Sequence, residues 1–496
     1  MKFNKYNKKL LYQVPKMTNI NHIYFIGIGG SGMCGIARIL AQQGYKISGS
    51  DLLSNSITQN LILLNIKIHL DHNKNHITNN IDLVVISHAI KKNNPELIAA
   101  KKLNITIINR VQMLAELMRF SYGITASGTH GKTTTTAMIY EIYKLAGLDP
   151  TFINGGILKS SNEYSYLGLS KYFITEIDES NKSFLYLKPI INIVTNIENE
   201  HLECYKNSLK ILKKTFLKFL KNIPFYGCII ICIDNKNNFN LIKKNKHFLK
   251  SKIITYGSHK DADIKLSNFT QDTHGSKFYL LEKKTNLNLK VNLNIIGYHN
   301  ALNATAAFAA ASYIGLKYSI ILKILKEFKG IKRRFDILGT ISYNKKLNLK
   351  KNTIIIDDYG HHPTEINVTI ETIRNIWPNR HLIMVFQPHR FSRTLNLFNE
   401  FVKILSKVDM LFLLEIYSAG ENYNKNINSE NLCKKIKELG IISPFLIKSN
   451  NYTTITNSIF KKLKGNEILI FQGAGNINNI SSFFIKNKLK NKKLNK

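Results

Sequence analysis

An ammonium group, a hydroxyl and a run of exposed backbone amides come together in Ala126-Ser127-Gly128-Thr129-His130-Gly131-Lys132-Thr133-Thr134. That combination suits the phosphates of a nucleoside triphosphate. The amides surround the β- and γ-phosphates, Lys132 neutralises charge that develops on the transferred group, and the Thr133 hydroxyl ligates Mg2+. The run has the P-loop form, with Ala126 in place of the usual first glycine. Two later segments carry acids and an imidazole: Glu176-Ile177-Asp178-Glu179-Ser180 and Thr195-Asn196-Ile197-Glu198-Asn199-Glu200-His201. Each follows an apolar, strand-like run, at 172–175 and 190–194. Strand C-termini of a parallel sheet converge on the ligand crevice, so Glu176 and His201 are expected at the P-loop metal. A hard cation prefers carboxylate and hydroxyl oxygens, which makes Glu176 the ordinary ligand and His201 the less usual one. The competing readings are a helix cap or surface acid for Glu176 and a hydrogen-bonded structural imidazole for His201.

A second glycine run, Gly27-Ile28-Gly29-Gly30-Ser31-Gly32, lies between an apolar stretch at 23–28 and a helical pattern at 33–43. Asp51 follows 24 residues after Gly27, near where the ribose-reading acid of a dinucleotide fold stands. Residues without a Cβ let phosphate oxygens approach the amides of a helix N-terminus. On its own the run leaves NAD or FAD, another nucleotide diphosphate, and a purely structural turn all open.

Further along, four apolar runs at 353–356, 382–386, 410–414 and 468–471 each end in a polar cluster. The clusters are Asp357-Asp358-Tyr359-Gly360-His361-His362-Pro363, Gln387-Pro388-His389-Arg390-Phe391-Ser392-Arg393, Glu415-Ile416-Tyr417-Ser418-Ala419-Gly420 and Gln472-Gly473-Ala474-Gly475-Asn476. Repeated polar strand ends predict another ligand site on a C-terminal sheet edge. The chain has 61 Lys but only 9 Arg, and four of those arginines form two close pairs, Arg333/Arg334 and Arg390/Arg393. Clustered guanidinium groups in a lysine-rich chain point to bidentate anion recognition.

The elements that must position these groups follow from length and pattern. The 496 residues, 44% apolar, are enough for several α/β domains. Alternating strand and helix patterns predict one domain over 1–121 and a second over 122–335, with a helix at 133–146, a β-rich stretch at 253–293 and a helix at 301–311. A third domain is predicted over 336–485, and a basic, disordered tail over 486–496. No apolar run reaches the ~18 residues of a membrane span, and the basic N-terminus lacks the apolar stretch of a signal peptide. The five cysteines are scattered without a CxxC pair, as in a cytoplasmic protein with reduced thiols, and Cys228 and Cys232 are expected in a core strand. The net charge of +38 comes from lysine spread along the whole chain, in company with abundant Asn and Ile. That pattern fits compositional drift better than a nucleic-acid-binding stripe, so no specific nucleic-acid partner is expected.

Taken in order, GIGGSGMCGIA, SGSD, NPELIAA, MLAELMR, GTHGKTTTT, EIDES, TNIENEH, GYHNALNA, KRRFD, DDYGHHPTE, QPHRFSRT and QGAGN resemble the alanine-adding branch of the Mur ligases over nearly the whole chain. The resemblance implies an α/β protein of three domains: a Rossmann-like N-terminal domain, a P-loop ATPase-type central domain and a Rossmann-like C-terminal domain. It implies an amide-forming ligase of bacterial peptidoglycan synthesis, and with it of cell-wall biogenesis, cell shape and division. ATP and Mg2+ would be the cofactors, UDP-N-acetylmuramate and L-alanine the substrates, the location cytoplasmic and the assembly a monomer or homodimer. Gly29, Ser31, Gly32, Asp51, His72 and Ser87 would surround the UDP-sugar. Gly128, Thr129, His130, Gly131, Lys132, Thr133 and Thr134, with His299, Asn300 and Asp357, would hold ATP, and Thr133, Glu176 and His201 the metal. His389, Arg390 and Arg393 would meet the amino acid. Lys132, Glu176, His201 and His362 would act in catalysis, His201 and His362 as candidate bases for the amine.

Departures from that pattern include His88 after Ser87, Asp71 before His72, Tyr298 for an arginine, and Glu200 and Glu415 for aspartates. They predict a slower enzyme with the same chemistry. The rival readings are an NAD oxidoreductase, which leaves the P-loop unused, a nucleic-acid-binding protein, and a ligase of the same superfamily with another amino acid.

Overall fold

The computed structural model describes residues 15–54, 56–200, 202–342 and 352–491. The chain forms two compact units, Met1–Lys329 and Gly330–Lys496.

In the first unit, five short strands form a parallel sheet with His22–Ile26 at its centre, Lys46–Ser50 and Lys67–His69 on one side and Leu83–Ile86 and Thr106–Asn109 on the other. The strand order reverses at His22–Ile26, and a doubly wound sheet binds ligands at such a reversal. The first glycine run leaves this strand and opens the helix Ser31–Gln42. The same unit holds a ten-stranded sheet. Its central strand Tyr122–Ser127 is flanked in parallel by Ile191–Val194 and Tyr172–Glu176. Beyond Ile191–Val194 lie Cys228–Cys232 and Lys252–Gly257, and then Ile264–Asp272, which joins Lys252–Gly257 in parallel and is followed by Gly275–Glu282 and Leu287–Leu293 in antiparallel succession. Cys228 and Cys232 are both buried in their strand, as their apolar run predicts. The two expected N-terminal domains fall in one compact unit because Ile23, Met33 and Leu114 share a hydrophobic cluster with Phe173, Val194 and Phe216.

The second unit is a six-stranded sheet ordered Asp336–Ser342, Asn352–Asp358, Glu467–Gln472, His381–Phe386, Met410–Leu414, Phe445–Ile447. All neighbours are parallel except the first pair. The interiors of its parallel strands are apolar because both faces are covered. Ile354, Ile356, Met384 and Phe386 pack into one cluster, whereas Ile355, Ile383, Val385 and Phe471 pack into another.

Two expectations need correction. The C-terminal sheet begins at Asp336 with an antiparallel edge strand, which a search for alternating strand and helix does not reveal. The tail expected to be disordered from 486 continues the helix Ile477–Asn491, whose Ile477, Ile480 and Phe484 are buried on the sheet, while residues 492–496 lie outside the described residues.

Candidate active site

The strand Tyr122–Ser127 delivers the P-loop, and the helix Lys132–Leu145 carries it away. Gly128 (φ +122°) and Gly131 (φ +83°) take backbone conformations that a side chain disfavours. Each also lies against a fixed neighbour: a Cβ on Gly128 would meet the Asn196 main chain, and one on Gly131 would meet Asn303 Oδ1 at 2.5 Å. Asn196 shapes the loop by accepting from the Thr129 amide through its carbonyl (2.9 Å) and from the His130 amide through its side chain (2.8 Å). Thr195 Oγ1 donates to the His130 carbonyl at 2.6 Å, and the Glu198 amide donates to Thr129 Oγ1 at 2.9 Å. The segment after Ile191–Val194 is therefore the floor of the loop.

Lys132 is held inward. Its Nζ donates to the Gly128 carbonyl (2.5 Å), the Thr129 carbonyl (3.0 Å) and both oxygens of Glu179 (3.1 and 2.9 Å). Burial alone would lower the ammonium pKa; the carboxylates of Glu179, Asp178 and Glu176 outweigh it and raise it. Burial pushes Glu179 up to about 7, with Asp178 adding to the rise and Lys132 opposing it. Asp178 goes the other way: the effect of burial is outweighed by Arg110 and Lys132, which hold it down to about 2. Arg110 Nη2 donates to Asp178 Oδ2 at 3.2 Å while its guanidinium lies against Gly32, tying the first glycine run to the segment beside the P-loop.

Thr133 Oγ1 donates to Glu176 Oε2 at 2.6 Å, which places two hard oxygen donors side by side at the start of the helix. Gly155 lies against the Glu176 carboxylate, where a Cβ would collide. These donors suit Mg2+ and an adjoining phosphate. Thr134 is buried one residue further on. His130 Nε2 lies 3.7 Å from Glu198 Oε2 and 4.0 Å from Glu200 Oε2. His201, the third expected ligand, lies outside the described residues.

Asn300 is buried in the helix Tyr298–Tyr313, and its Oδ1 accepts from Asn303 Nδ2 at 3.3 Å. Asn303 in turn accepts from Thr135 Oγ1 at 3.2 Å. Asn300 therefore reaches the P-loop helix through Asn303, and His299 stands in the first turn of the same helix, against Gly297.

At the first sheet, Asp51 is part of the glycine turn: its Oδ2 accepts from the Gly29 amide at 2.8 Å and its Oδ1 from the Leu52 amide at 2.8 Å. Ser87 packs against Gly27, and its amide donates to the Ile26 carbonyl at 3.1 Å. His72 Nδ1 bonds Glu96 Oε2 at 2.8 Å. Ser31 begins the helix, and its side chain lies outside the described residues.

In the second unit, the His389 ring stacks on Tyr417 with centroids 5.5 Å apart, and Arg393 Nη1 lies 3.4 Å from His389 Nδ1. Arg390 is exposed and holds φ +72° just before the helix Phe391–Asn396, its amide donating to the Tyr417 carbonyl at 2.8 Å. Arg333 departs from the anion-binding expectation: its Nη2 donates to the Gly473 and Gly475 carbonyls (2.6 and 3.3 Å), and the guanidinium groups of Arg333 and Arg334 both lie 5.0 Å from the Tyr359 ring. Asp357 is turned inward, 4% exposed, with Oδ2 accepting from the Ser481 hydroxyl at 3.1 Å and Oδ1 3.7 Å from Arg333 Nε. Burial, against Arg333, pushes it up to about 6. His362 caps the helix Pro363–Ile376, its Nδ1 accepting from the Thr364 amide at 3.3 Å. With Nδ1 accepting, the neutral ring carries its proton on Nε2, an arrangement that does not favour His362 as the amine's base.

Burial, with Arg393 and Arg390, pushes His389 down to about 4, and burial holds His361 well below its usual value. A neutral folded imidazole opposite an unfolded one of about 6.5 gives stability that is complete above pH ~6.5 and is lost as pH falls toward 4. Asp357 and Glu179, both raised, contribute in the opposite sense over an overlapping window, so the informative quantity is a difference. On acidification from pH 6.5 to 4, wild type should lose more stability than His389→Asn, by at most ~3 kcal/mol. Parallel denaturation curves at each pH would detect it, and an equal loss in both proteins would contradict the neutral imidazole.

The sequence matches the model of the Mur ligase family catalytic domain over residues 22–122, that of the Mur ligase middle domain over 126–311 and that of the Mur ligase glutamate ligase domain over 334–475. The chain belongs to the Mur ligase family. This Mur ligase is 48% identical to the UDP-N-acetylmuramate–L-alanine ligase of Buchnera aphidicola subsp. Acyrthosiphon pisum (strain Tuc7), over 97% of its own length and 98% of the relative's. It is 48% identical to the enzyme of the same name from Wigglesworthia glossinidia brevipalpis, over 94% and 96% of the two chains. Among solved structures it superimposes on the UDP-N-acetylmuramate-alanine ligase of Thermotoga maritima with a TM-score of 0.78 and 27% identity, covering 95% and 99% of the two chains. Its fold is shared with a murein peptide ligase of Psychrobacter arcticus, at a TM-score of 0.71 and 22% identity. This Mur ligase has the three-domain α/β architecture, and no described helix is long and apolar enough to cross a membrane.

Residue patterns did not single out Glu179, Arg110, Asn196 or Asn303. The one usable signal was the third acid in Glu176-Ile177-Asp178-Glu179, which has no reason to be buried unless a cation meets it.

Proposed function

We propose that this Mur ligase joins L-alanine to the lactyl carboxylate of UDP-N-acetylmuramate through an acyl phosphate, with ADP and phosphate as by-products, in the bacterial cytoplasm. The observation that carries the chemistry is the buried Lys132 beside the Thr133–Glu176 oxygen pair at the mouth of a P-loop. The near-full-length identity to alanine-adding relatives carries the choice of substrates. ATP supplies the phosphoryl group, and Mg2+ spreads the negative charge of its phosphates. Thr133 and Glu176, with His201 as a further candidate, hold the cation. The amides of residues 131–133, at the start of the helix, receive the phosphate oxygens, and Lys132 turns from Glu179 to the transferred group as its charge develops. Gly29, Ser31 and Gly32 offer the pyrophosphate of the sugar nucleotide the N-terminus of the helix Ser31–Gln42. Arg393 and Arg390 fix the alanine carboxylate, and the neutral His389 beside them adds no competing positive charge. The alanine amine attacks the acyl carbon once its ammonium has lost a proton, phosphate leaves, and the amide remains. A cytoplasmic location is supported by five cysteines that are all free, and we place the assembly as a monomer or homodimer.

The test is phosphate release from ATP with UDP-N-acetylmuramate present and L-alanine, glycine, L-serine or D-glutamate added in parallel. Release should require the sugar nucleotide and be fastest with L-alanine. A preference for another amino acid would reassign the substrate, because one methylene discriminates by only ~1–3 kcal/mol. Release without the sugar nucleotide would overturn the reading.

A further inference from the structure

Past the strand Lys67–His69 the chain turns back on itself, bringing His69, Asp71 and His76 together on the first sheet's flank. One ligating atom from each lies within 4.8 Å of the other two. The rings of His69 and His76 stack with centroids 3.7 Å apart, and His76 Nε2 is 3.5 Å from Asp71 Oδ1.

Behind them sits Glu96, fully buried. Its Oε1 accepts from the Tyr24 hydroxyl (2.7 Å) and meets His76 Nδ1 (2.9 Å); its Oε2 accepts from the Ser50 hydroxyl (2.6 Å) and meets His72 Nδ1 (2.8 Å). A buried carboxylate needs donors, so His76 carries its proton on Nδ1. In the neutral ring, Nε2 then presents a lone pair, and what it faces is the carboxylate of Asp71. Two acceptors facing each other repel unless a proton or a metal cation lies between them. An imidazole whose far nitrogen is anchored on a carboxylate is the arrangement by which proteins orient and strengthen metal-binding histidines. Two imidazoles and one carboxylate select a borderline cation of the zinc type over Mg2+, which takes oxygen. Asp71 is 62% exposed in its side chain, leaving a path for the ion and room for water at a fourth position.

We propose that His69, Asp71 and His76 bind a divalent cation of the zinc class, with Glu96 as the positioning residue behind His76. The site is separate from the P-loop and adjoins the sugar-nucleotide loop, since the Asp51 amide donates to the His69 carbonyl at 2.9 Å.

The test uses the untagged full-length chain. Zn2+ affinity is measured by competition with a chromogenic chelator, and Co2+ serves as the spectroscopic probe of the ligand set. Cys204 is exposed and Cys433 partly so; both bind soft metals, and Cys204→Ser and Cys433→Ser are run beside the wild type. One equivalent of Zn2+ should bind at micromolar affinity or tighter in the wild type and both cysteine variants. Affinity should fall by on the order of 10-fold or more in His69→Ala and in Asp71→Asn. Both replaced side chains are partly or largely exposed, so these variants should keep the wild-type melting temperature. Equal binding by wild type, His69→Ala and Asp71→Asn would overturn the proposal, as would no binding, or a sulfur-to-cobalt charge-transfer band that vanishes with the cysteines. In the last cases His76 is an imidazolium shared by Asp71 and Glu96.

Discussion

Lys132→Met should reduce phosphate release by on the order of 10^3-fold or more with all substrates saturating, because the only cation buried among the loop carbonyls and Glu179 is then gone from the described residues of the site. The substitution has a second effect that separates chemistry from folding. It leaves Glu179 buried without its partner. A stranded buried charge costs several kcal/mol, but a carboxyl already pushed up to about 7 takes up a proton instead, so the loss of stability should be ~1–3 kcal/mol. Adding Glu179→Gln to Lys132→Met should restore most of the melting temperature and none of the activity. Recovery of activity in the double variant would mean that Lys132 serves the fold and not the transferred phosphoryl group.

Gly128→Ala should be comparably severe for a different reason. The residue holds φ +122°, and a Cβ there meets the Thr195 hydroxyl and the Asn196 main chain. Asn196 also holds the loop through the Thr129 and His130 amides, so relieving the clash shifts the loop that leads into the helix amides proposed to receive phosphate. We expect kcat/KM for ATP to fall ~10^2- to 10^3-fold, as when positioned oxyanion donors are lost. Stability should fall by ~2–4 kcal/mol from strain and overpacking together. Gly147→Ala is the matched control. Gly147 has φ +86° just past the end of the same helix, with nothing within 4 Å of a Cβ, so it should cost ~1–2 kcal/mol of stability and leave kcat/KM alone. Steady-state kinetics and thermal melts on the two variants compare a glycine needed for its conformation alone with one needed also for its surroundings.

What the sequence disclosed depended on how far apart the cooperating residues stand. The P-loop, the first glycine run and the strands that end in Glu176 and Gln472 were readable, because each is a local pattern of apolar run, glycine or polar cluster, and helix. The strand at 410–414 matches Met410–Leu414 residue for residue, since a fully buried parallel strand is an unbroken apolar run with sharp polar ends. The edge strand Asp336–Ser342 was missed because it contains Asp, Gly, Thr and Ser and relies on its partner Asn352–Asp358 for definition. Glu96 was missed for a related reason. The partners it gathers are Tyr24, Ser50, His72 and His76, up to 72 positions away, and nothing near NPELIAA marks its glutamate as buried. Arg333 shows the opposite error. Its proximity to Arg334 suggested an anion site, while its positive φ and its bonds to the Gly473 and Gly475 carbonyls make it a clasp on the end of the neighbouring strand.

The Lys132–Glu179 pair has a bearing on turnover. A lysine that waits with no resident anion grips whatever phosphate arrives, including that of a spent nucleotide. If Lys132 takes the phosphate as proposed, arrival would be an exchange of one anion for another and departure the reverse, with Glu179 placed to take the ammonium back. Affinity for the nucleotide is thereby held to a difference between two attractions, which weakens the hold on substrate and product alike. On the proposed role of Lys132, the enzyme would give up tightness and gain a fast exit, so that its cycle need not end with ADP trapped on the loop.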